Sequence, residues 1–232
     1  MQTKNYKMKK INLLIVSIAL ILGACTDNNT YKKPETEMEK VSYSLGVNMA
    51  SSVKAQGLDT VDANAVAKAF NDVFEGNDLD ISEEESMTIL QEYFGKIQAE
   101  KSAKANEEGA AYLAENAAKE GVTTTESGLQ YEVLVSGDGA KPATTDQVTV
   151  HYHGMLTDGT VFDSSIDRGQ PATFGVTQVI KGWTEALQLM SVGDKWKLTI
   201  PSNLAYGDQG AGGMIGPGAT LVFEVELLGI NN

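Results

Sequence analysis

A short amphipathic segment set between strand-like runs limits the folds open to this chain more than any other feature. In Val179-Ile180-Lys181-Gly182-Trp183-Thr184-Glu185-Ala186-Leu187-Gln188-Leu189-Met190 the apolar positions 179, 183, 186, 187 and 190 recur at the spacing of one helix face. That spacing predicts a short helix whose stripe, Trp183 included, points inward. A lone short helix among strands has to bury its stripe against a sheet. A tryptophan so placed either fills the core or floors an apolar pocket, and the helix taken by itself favours the core.

The strands flanking it are legible from Gly121 onward. Leu129 to Val135 alternates and stops at Gly137-Asp138-Gly139; Val148 to Leu156 is a second strand, joined through the turn signal Asp158-Gly159 to Val161-Phe162. Lys195 to Ile200 and Thr220 to Leu228 complete an expected antiparallel sheet of five or six strands wrapped around the helix, an α+β domain over residues 122–232.

The N-terminal half has a different chemistry. Lys7-Met8-Lys9-Lys10, an apolar run from Ile11 to Leu22 and Gly23-Ala24-Cys25 are the three regions of a secretory signal in order. The apolar run is too short for a permanent membrane span, and Met8 is the better start because it puts the basic pair directly after the initiator. Leu22-Gly23-Ala24-Cys25 resembles a bacterial lipobox, which implies removal of residues 1–24 and lipidation of Cys25, the sole cysteine. Membrane attachment is then expected through the lipid alone. Residue 26 is Thr, not the Asp that can retain a lipoprotein in the inner membrane, so outer-membrane attachment is expected. Losing residues 1–24 removes four lysines and no acid, taking the formal charge from -13 to -17. So acidic a surface repels phosphate backbones, and nucleic acid is not expected as a partner.

Residues 25–37 read as a polar tether. Met38, Val41, Leu45, Met49 and Val53 predict a first helix ending near Gly57. Asp62 caps a second, with Val66, Phe70, Val73 and Phe74 on one face and a stop at Gly76. Ser82-Glu83-Glu84-Glu85 opens a third with a capping box. Met87, Leu90, Phe94 and Ile97 give that helix an apolar opening, but residues 98–121 are mostly Ala, Glu, Lys and Asn and predict an exposed stalk, interruptible at Gly95 or Gly109. Residues 38–97 hold few apolar side chains for a stable monomer, so they are expected to form a homodimer, the alternative being a helical bundle folded back onto the C-terminal domain.

Chemistry-bearing motifs are sparse. His151 and His153 share a strand face but lack further ligands, so no metal is expected. Gly207 to Gly218 is glycine-rich without the Gly-Lys-Ser/Thr of a phosphate loop and reads as a flexible flap. No nucleophile elbow, Cys/His pair or carboxylate pair is apparent, and no cofactor is implied.

Five motifs nevertheless stand in a specific order: Val150-His151-Tyr152-His153-Gly154, Gly159-Thr160-Val161-Phe162-Asp163-Ser164-Ser165, Val179-Ile180-Lys181-Gly182-Trp183, Ala205-Tyr206-Gly207 and Ala219 to Leu227. Together they resemble an FKBP-type peptidyl-prolyl isomerase domain, and the helical half is similar to the dimeric macrophage infectivity potentiator and FkpA group. The resemblance implies an apolar proline pocket built of Tyr152, Phe162, Val179, Ile180, Trp183, Tyr206 and Phe223, with Ile215 from the flap and Asp163 at the rim. It implies that the Ile180 N–H and Tyr206 hydroxyl hold carbonyls of a bound chain. Trp183 becomes pocket floor as well as core. His153, Ala172 and Ala211 depart from residues common in the family. The implied activity is peptidyl-prolyl isomerisation of unfolded or proline-containing polypeptides in the bacterial envelope, at the outer membrane facing the periplasm, with exposure on the cell surface as the alternative. A second reading is a chaperone or binding lipoprotein that holds apolar proline-containing segments in the same pocket without turnover.

Overall fold

The computed structural model describes residues 32–231. The expected signal segment 1–24, the expected lipidation site Cys25 and the first part of the expected tether lie outside the described residues. By its contacts the chain divides between Ser51 and Ser52 into two units.

Three helices come first. Helix α1 (Glu37–Ala55) starts at a capping box that the apolar spacing does not reveal. The Glu39 carboxylate accepts from the N–H groups of Glu35 and Thr36, each at 2.9 Å, and the Thr36 hydroxyl accepts from the Glu39 N–H. Helix α2 (Ala63–Glu75) lies between the expected signals: Asp62 Oδ1 accepts from Asn64 and Ala65 N–H, and Gly76 closes it at φ 72°, in the left-handed region. Helix α3 (Glu83–Ala117) starts where Ser82 Oγ accepts from the Glu85 N–H and runs unbroken through Gly95 and Gly109 for 35 residues, about 50 Å.

The strands β1 (Val122–Thr124), β2 (Gln130–Val135), β3 (Gln147–Leu156), β4 (Val161–Ser164), β5 (Ala172–Gly175), β6 (Lys195–Ile200) and β7 (Leu221–Asn231), with α4 (Lys181–Leu189), form the rest. They make one antiparallel sheet in the order β1-β2-β6-β7-β3-β4, with β5 also paired to β3. Seven strands replace the expected five or six because β1 and β5 are too short to show a period of two. The inner face carries Val148, Val150 and Tyr152 of β3, Leu198 and Ile200 of β6, and Leu221, Phe223, Val225 and Leu227 of β7. Against it α4 buries Trp183, Ala186 and Leu187, with Met190 just past its end, so the helix's apolar stripe faces the core as its spacing predicts.

The expected free stalk differs from the structure. Ser102, Gly109 and Asn116, seven residues apart and so on one face of α3, are buried. Asn116 Nδ2 donates to Gln130 Oε1 (2.9 Å) and Thr199 Oγ1 (3.3 Å), and Gln130 Nε2 donates to the Leu113 carbonyl. A Cβ at Gly109 would sit 2.3 Å from Thr220 Oγ1, so glycine there permits close approach and does not break the helix. Thr199 and Val222, opposite each other in the register, are buried on the sheet face away from α4. Most of the helix faces solvent, and the narrow face that docks does so through hydrogen bonds and small residues.

Candidate functional site

Between α4, the inner ends of β3, β4 and β7, and the loop after β6 lies a cavity of about 430 Å³. Its floor is Trp183, 4 % exposed, whose ring meets three others edge-on: Tyr152 at 5.4 Å, Phe223 at 5.3 Å and Phe174 at 6.0 Å between centroids. Phe162 meets Phe223 edge-on at 5.4 Å. Edge-to-face contacts let each ring's positive edge face another's negative face and hold the walls at fixed angles. Gly154 makes room for them, since a Cβ there would come within 2.9 Å of both Phe162 and Phe223. The Trp183 Nε1 is buried with no hydrogen-bond partner.

Eight of the nine sequence-predicted pocket residues line this cavity: Tyr152, Phe162, Asp163, Val179, Ile180, Trp183, Tyr206 and Phe223. The ninth, Ile215, is packed into the core and faces an adjoining cavity of about 270 Å³, shared with Phe162, Asp163 and Tyr206. The glycine-rich segment leading to it is more fixed than a flexible flap: Ala211 and Ile215 exchange two backbone hydrogen bonds, and Gly218 N–H donates to the Gly207 carbonyl. Two lining residues were missed. Phe174 lies on the four-residue strand β5, and Gln178 in the turn before α4.

Polar groups converge at two places. Ile180 is the N-cap of α4, where a helix leaves its first N–H groups without intrahelical partners. Tyr206, which carries the other polar group, lines the cavity and is 41 % exposed. At the rim, the Tyr152 hydroxyl donates to Asp163 Oδ2 at 2.5 Å and accepts from Arg168 Nη2 at 2.8 Å, while Arg168 Nη1 is paired with Asp163 Oδ1. The Arg168 guanidinium also lies over the Tyr152 ring. Burial pushes the Asp163 carboxyl up, but the hydrogen bonds from Tyr152 and Arg168 outweigh it and hold the group below the ordinary carboxylate value. Burial, followed by the bond to Asp163, raises the Tyr152 phenol above its usual value. Arg168, missed by the sequence reading, had one signal: a cation in the turn five residues past Asp163.

The two histidines face away from the cavity. His151 Nδ1 shares a hydrogen bond with Ser165 Oγ (3.0 Å) and His153 Nδ1 with Ser164 Oγ (2.9 Å). No cluster of three or more His, Cys, Asp or Glu among the described residues is placed to hold a metal. Chemically the site offers an aromatic box, a free backbone donor, a hydroxyl and a carboxylate paired with a guanidinium. It can seat a flat apolar ring and orient carbonyls on either side, without a nucleophile to attack them.

Residues 139–228 match the family model of FKBP-type peptidyl-prolyl cis-trans isomerase, and residues 38–133 that of the domain amino terminal to it. Among curated relatives, the outer membrane protein MIP of Legionella longbeachae is 40 % identical over 97 % of this chain and 98 % of its own length. The FKBP-type isomerase FkpA of Aeromonas hydrophila is 44 % identical over 95 % and 94 %. The crystal structure of FkpA from Escherichia coli covers 86 % of this chain and 99 % of its own, at 34 % identity and a TM-score of 0.63. With such matches over nearly the whole length, and an aromatic box where the motifs put it, the chain belongs to the FKBP-type peptidyl-prolyl cis-trans isomerase family.

Proposed function

We propose that the aromatic box seats the proline of a client chain while this protein, a peptidyl-prolyl cis-trans isomerase, turns the peptide bond before it. The observation that carries the reading is the Trp183-floored cavity with one free N–H and one hydroxyl at its edges. Rotation about X-Pro breaks no covalent bond, which fits a site without a nucleophile. The barrier of about 18–20 kcal/mol is the amide resonance lost on twisting. A planar amide is more polarised than a twisted one, so a water-poor aromatic pocket disfavours the twisted form less. The Ile180 N–H and Tyr206 hydroxyl hold the flanking carbonyls. Asp163, kept ionised by Tyr152 and Arg168, shapes the field at the rim and takes no proton.

The cellular setting belongs to the same proposal. Lipid on Cys25 anchors the mature chain in the envelope, tether 25–37 spaces it from the membrane, and clients are exported polypeptides awaiting proline isomerisation. The name of the Legionella longbeachae relative supports the envelope assignment. Residues 38–97 form a homodimer. On α2 and early α3, Val66, Val73, Phe74, Met87, Leu90 and Tyr93 are exposed, an apolar surface a second copy would cover.

The test is refolding of a protein whose slow phase is X-Pro isomerisation, tens of seconds when uncatalysed, with residues 26–232 as wild type and as Phe162→Ala/Tyr206→Phe. The double variant should lose at least about tenfold in acceleration, about 1.4 kcal/mol of transition-state stabilisation. Undiminished acceleration would place the chemistry elsewhere.

A further inference from the structure

Tyr206, given the carbonyl-holding role above, sits in a loop anchored on the core side by Leu204 and Ala205. It lies between two single turns of 3₁₀ helix, Ser202–Leu204 and Gly207–Gln209. Both turns are tied to α3. On the near side the Ser202 hydroxyl donates to Asn106 Oδ1 at 2.6 Å. On the far side the Ser102 hydroxyl donates to Asp208 Oδ1 at 2.5 Å, and Gln98 Nε2 donates to the Asp208 carbonyl at 2.6 Å. Asn106 Nδ2 in turn donates to Ser102 Oγ, linking the two ties. Gln98, Ser102 and Asn106 are four apart and share one helix face. The flap's return end rests on the same face, because Gly218 lies against the Ser102 carbonyl, where a Cβ would come within 2.5 Å.

We propose that Ser102 and Asn106 are positioning residues for isomerisation: by fixing the loop on both sides of Tyr206, α3 holds that side chain in the pocket lining. The inference rests on the proline-pocket reading. It gives the helical half a role inside each pocket, separate from any gain through dimerisation. Ser102 is 4 % exposed and makes its bond to a carboxylate, the kind of contact that fixes geometry strongly. A hydroxyl displaced by about 1 Å loses most of its orienting effect.

The experiment uses the mature chain and a proline tetrapeptide too short to reach two pockets. Ser102→Ala/Asn106→Ala should lower kcat/KM about five- to tenfold. Ser102→Thr, which keeps the hydroxyl, should stay within about twofold of wild type. Asn116→Ala loosens the same helix at its far end, on β2 and β6, and should leave kcat/KM unchanged. If the double variant does not fold, Gln98→Ala removes only the bond to the Asp208 carbonyl and should cost about two- to threefold. Wild-type kcat/KM in the folded double variant or in Gln98→Ala, or an equal loss in Asn116→Ala, would overturn the clamp. Phe162→Ala runs alongside as the pocket control: its activity should collapse, and full activity there would overturn the pocket reading and the clamp with it.

Discussion

Asp163 illustrates how one residue's environment decides its use. A carboxylate at the edge of an apolar pocket should resist ionisation, yet two donors aimed at its oxygens reverse that tendency. Its native pKa is depressed, so its contribution to the folded site is complete above the unfolded value, about 3.9, and is lost as pH falls through the lower native value. Arg168→Ala removes one donor and the nearest positive charge. The Asp163 carboxyl should then titrate at higher pH than in wild type, read by NMR of its side-chain carbon, and the acid limb of activity should move up with it. Between about pH 5 and the ordinary phenol value of about 10, the wild-type profile should show no step from Asp163 or from Tyr152, whose phenol is shifted upward. An Asp163 titration unmoved by the arginine substitution would show that the pair seen at the rim does not govern the site.

Helix α3 is held to the sheet by polar groups, and its energetics differ from those of α4. Burying the stripe of α4 is a hydrophobic transfer, about 1.5–3 kcal/mol for each large apolar side chain. The buried Asn116 gains little net energy from its hydrogen bonds, but removing it leaves Gln130 and Thr199, both buried, short of a partner. Such unmet groups cost about 1–3 kcal/mol. Asn116→Ala should therefore lower the free energy of unfolding by that amount, measured by urea denaturation. A change within error would mean that water substitutes for the asparagine and that α3 is held elsewhere. The asymmetry also explains why the two helices were unequally legible. Apolar periodicity announces α4, whereas the spacing of Ser102, Gly109 and Asn116 looks like an ordinary solvated face.

At the scale of the whole molecule, α2 and the start of α3 keep large apolar side chains in contact with water, Phe74 at 79 % exposure and Met87 at 67 %. If they form the homodimer face, the mature chain should sediment at about twice its monomer mass, and Val66→Glu/Phe74→Glu should return it to the monomer while kcat/KM on a tetrapeptide stays near wild type. A monomeric wild type at tens of micromolar would remove the dimer. Local chemistry alone determined both ends of α2 and the start of α3, because Asp62, Gly76 and Ser82 act on backbone groups within four residues of themselves. It also determined the core face of α4 and the long strands, whose periods are properties of the chain. The motifs then sufficed for eight of the cavity's ten lining residues. Only the tertiary structure decided the rest: that Phe174 on a four-residue strand walls the cavity, that Arg168 folds back over Tyr152, that Ile215 turns to the neighbouring hollow, and that α3 lies on the sheet. Each depends on contacts between segments distant in sequence or on polar pairing. Those leave no periodic apolar trace, since hydrogen-bonding side chains look alike in a sequence whether water or protein satisfies them.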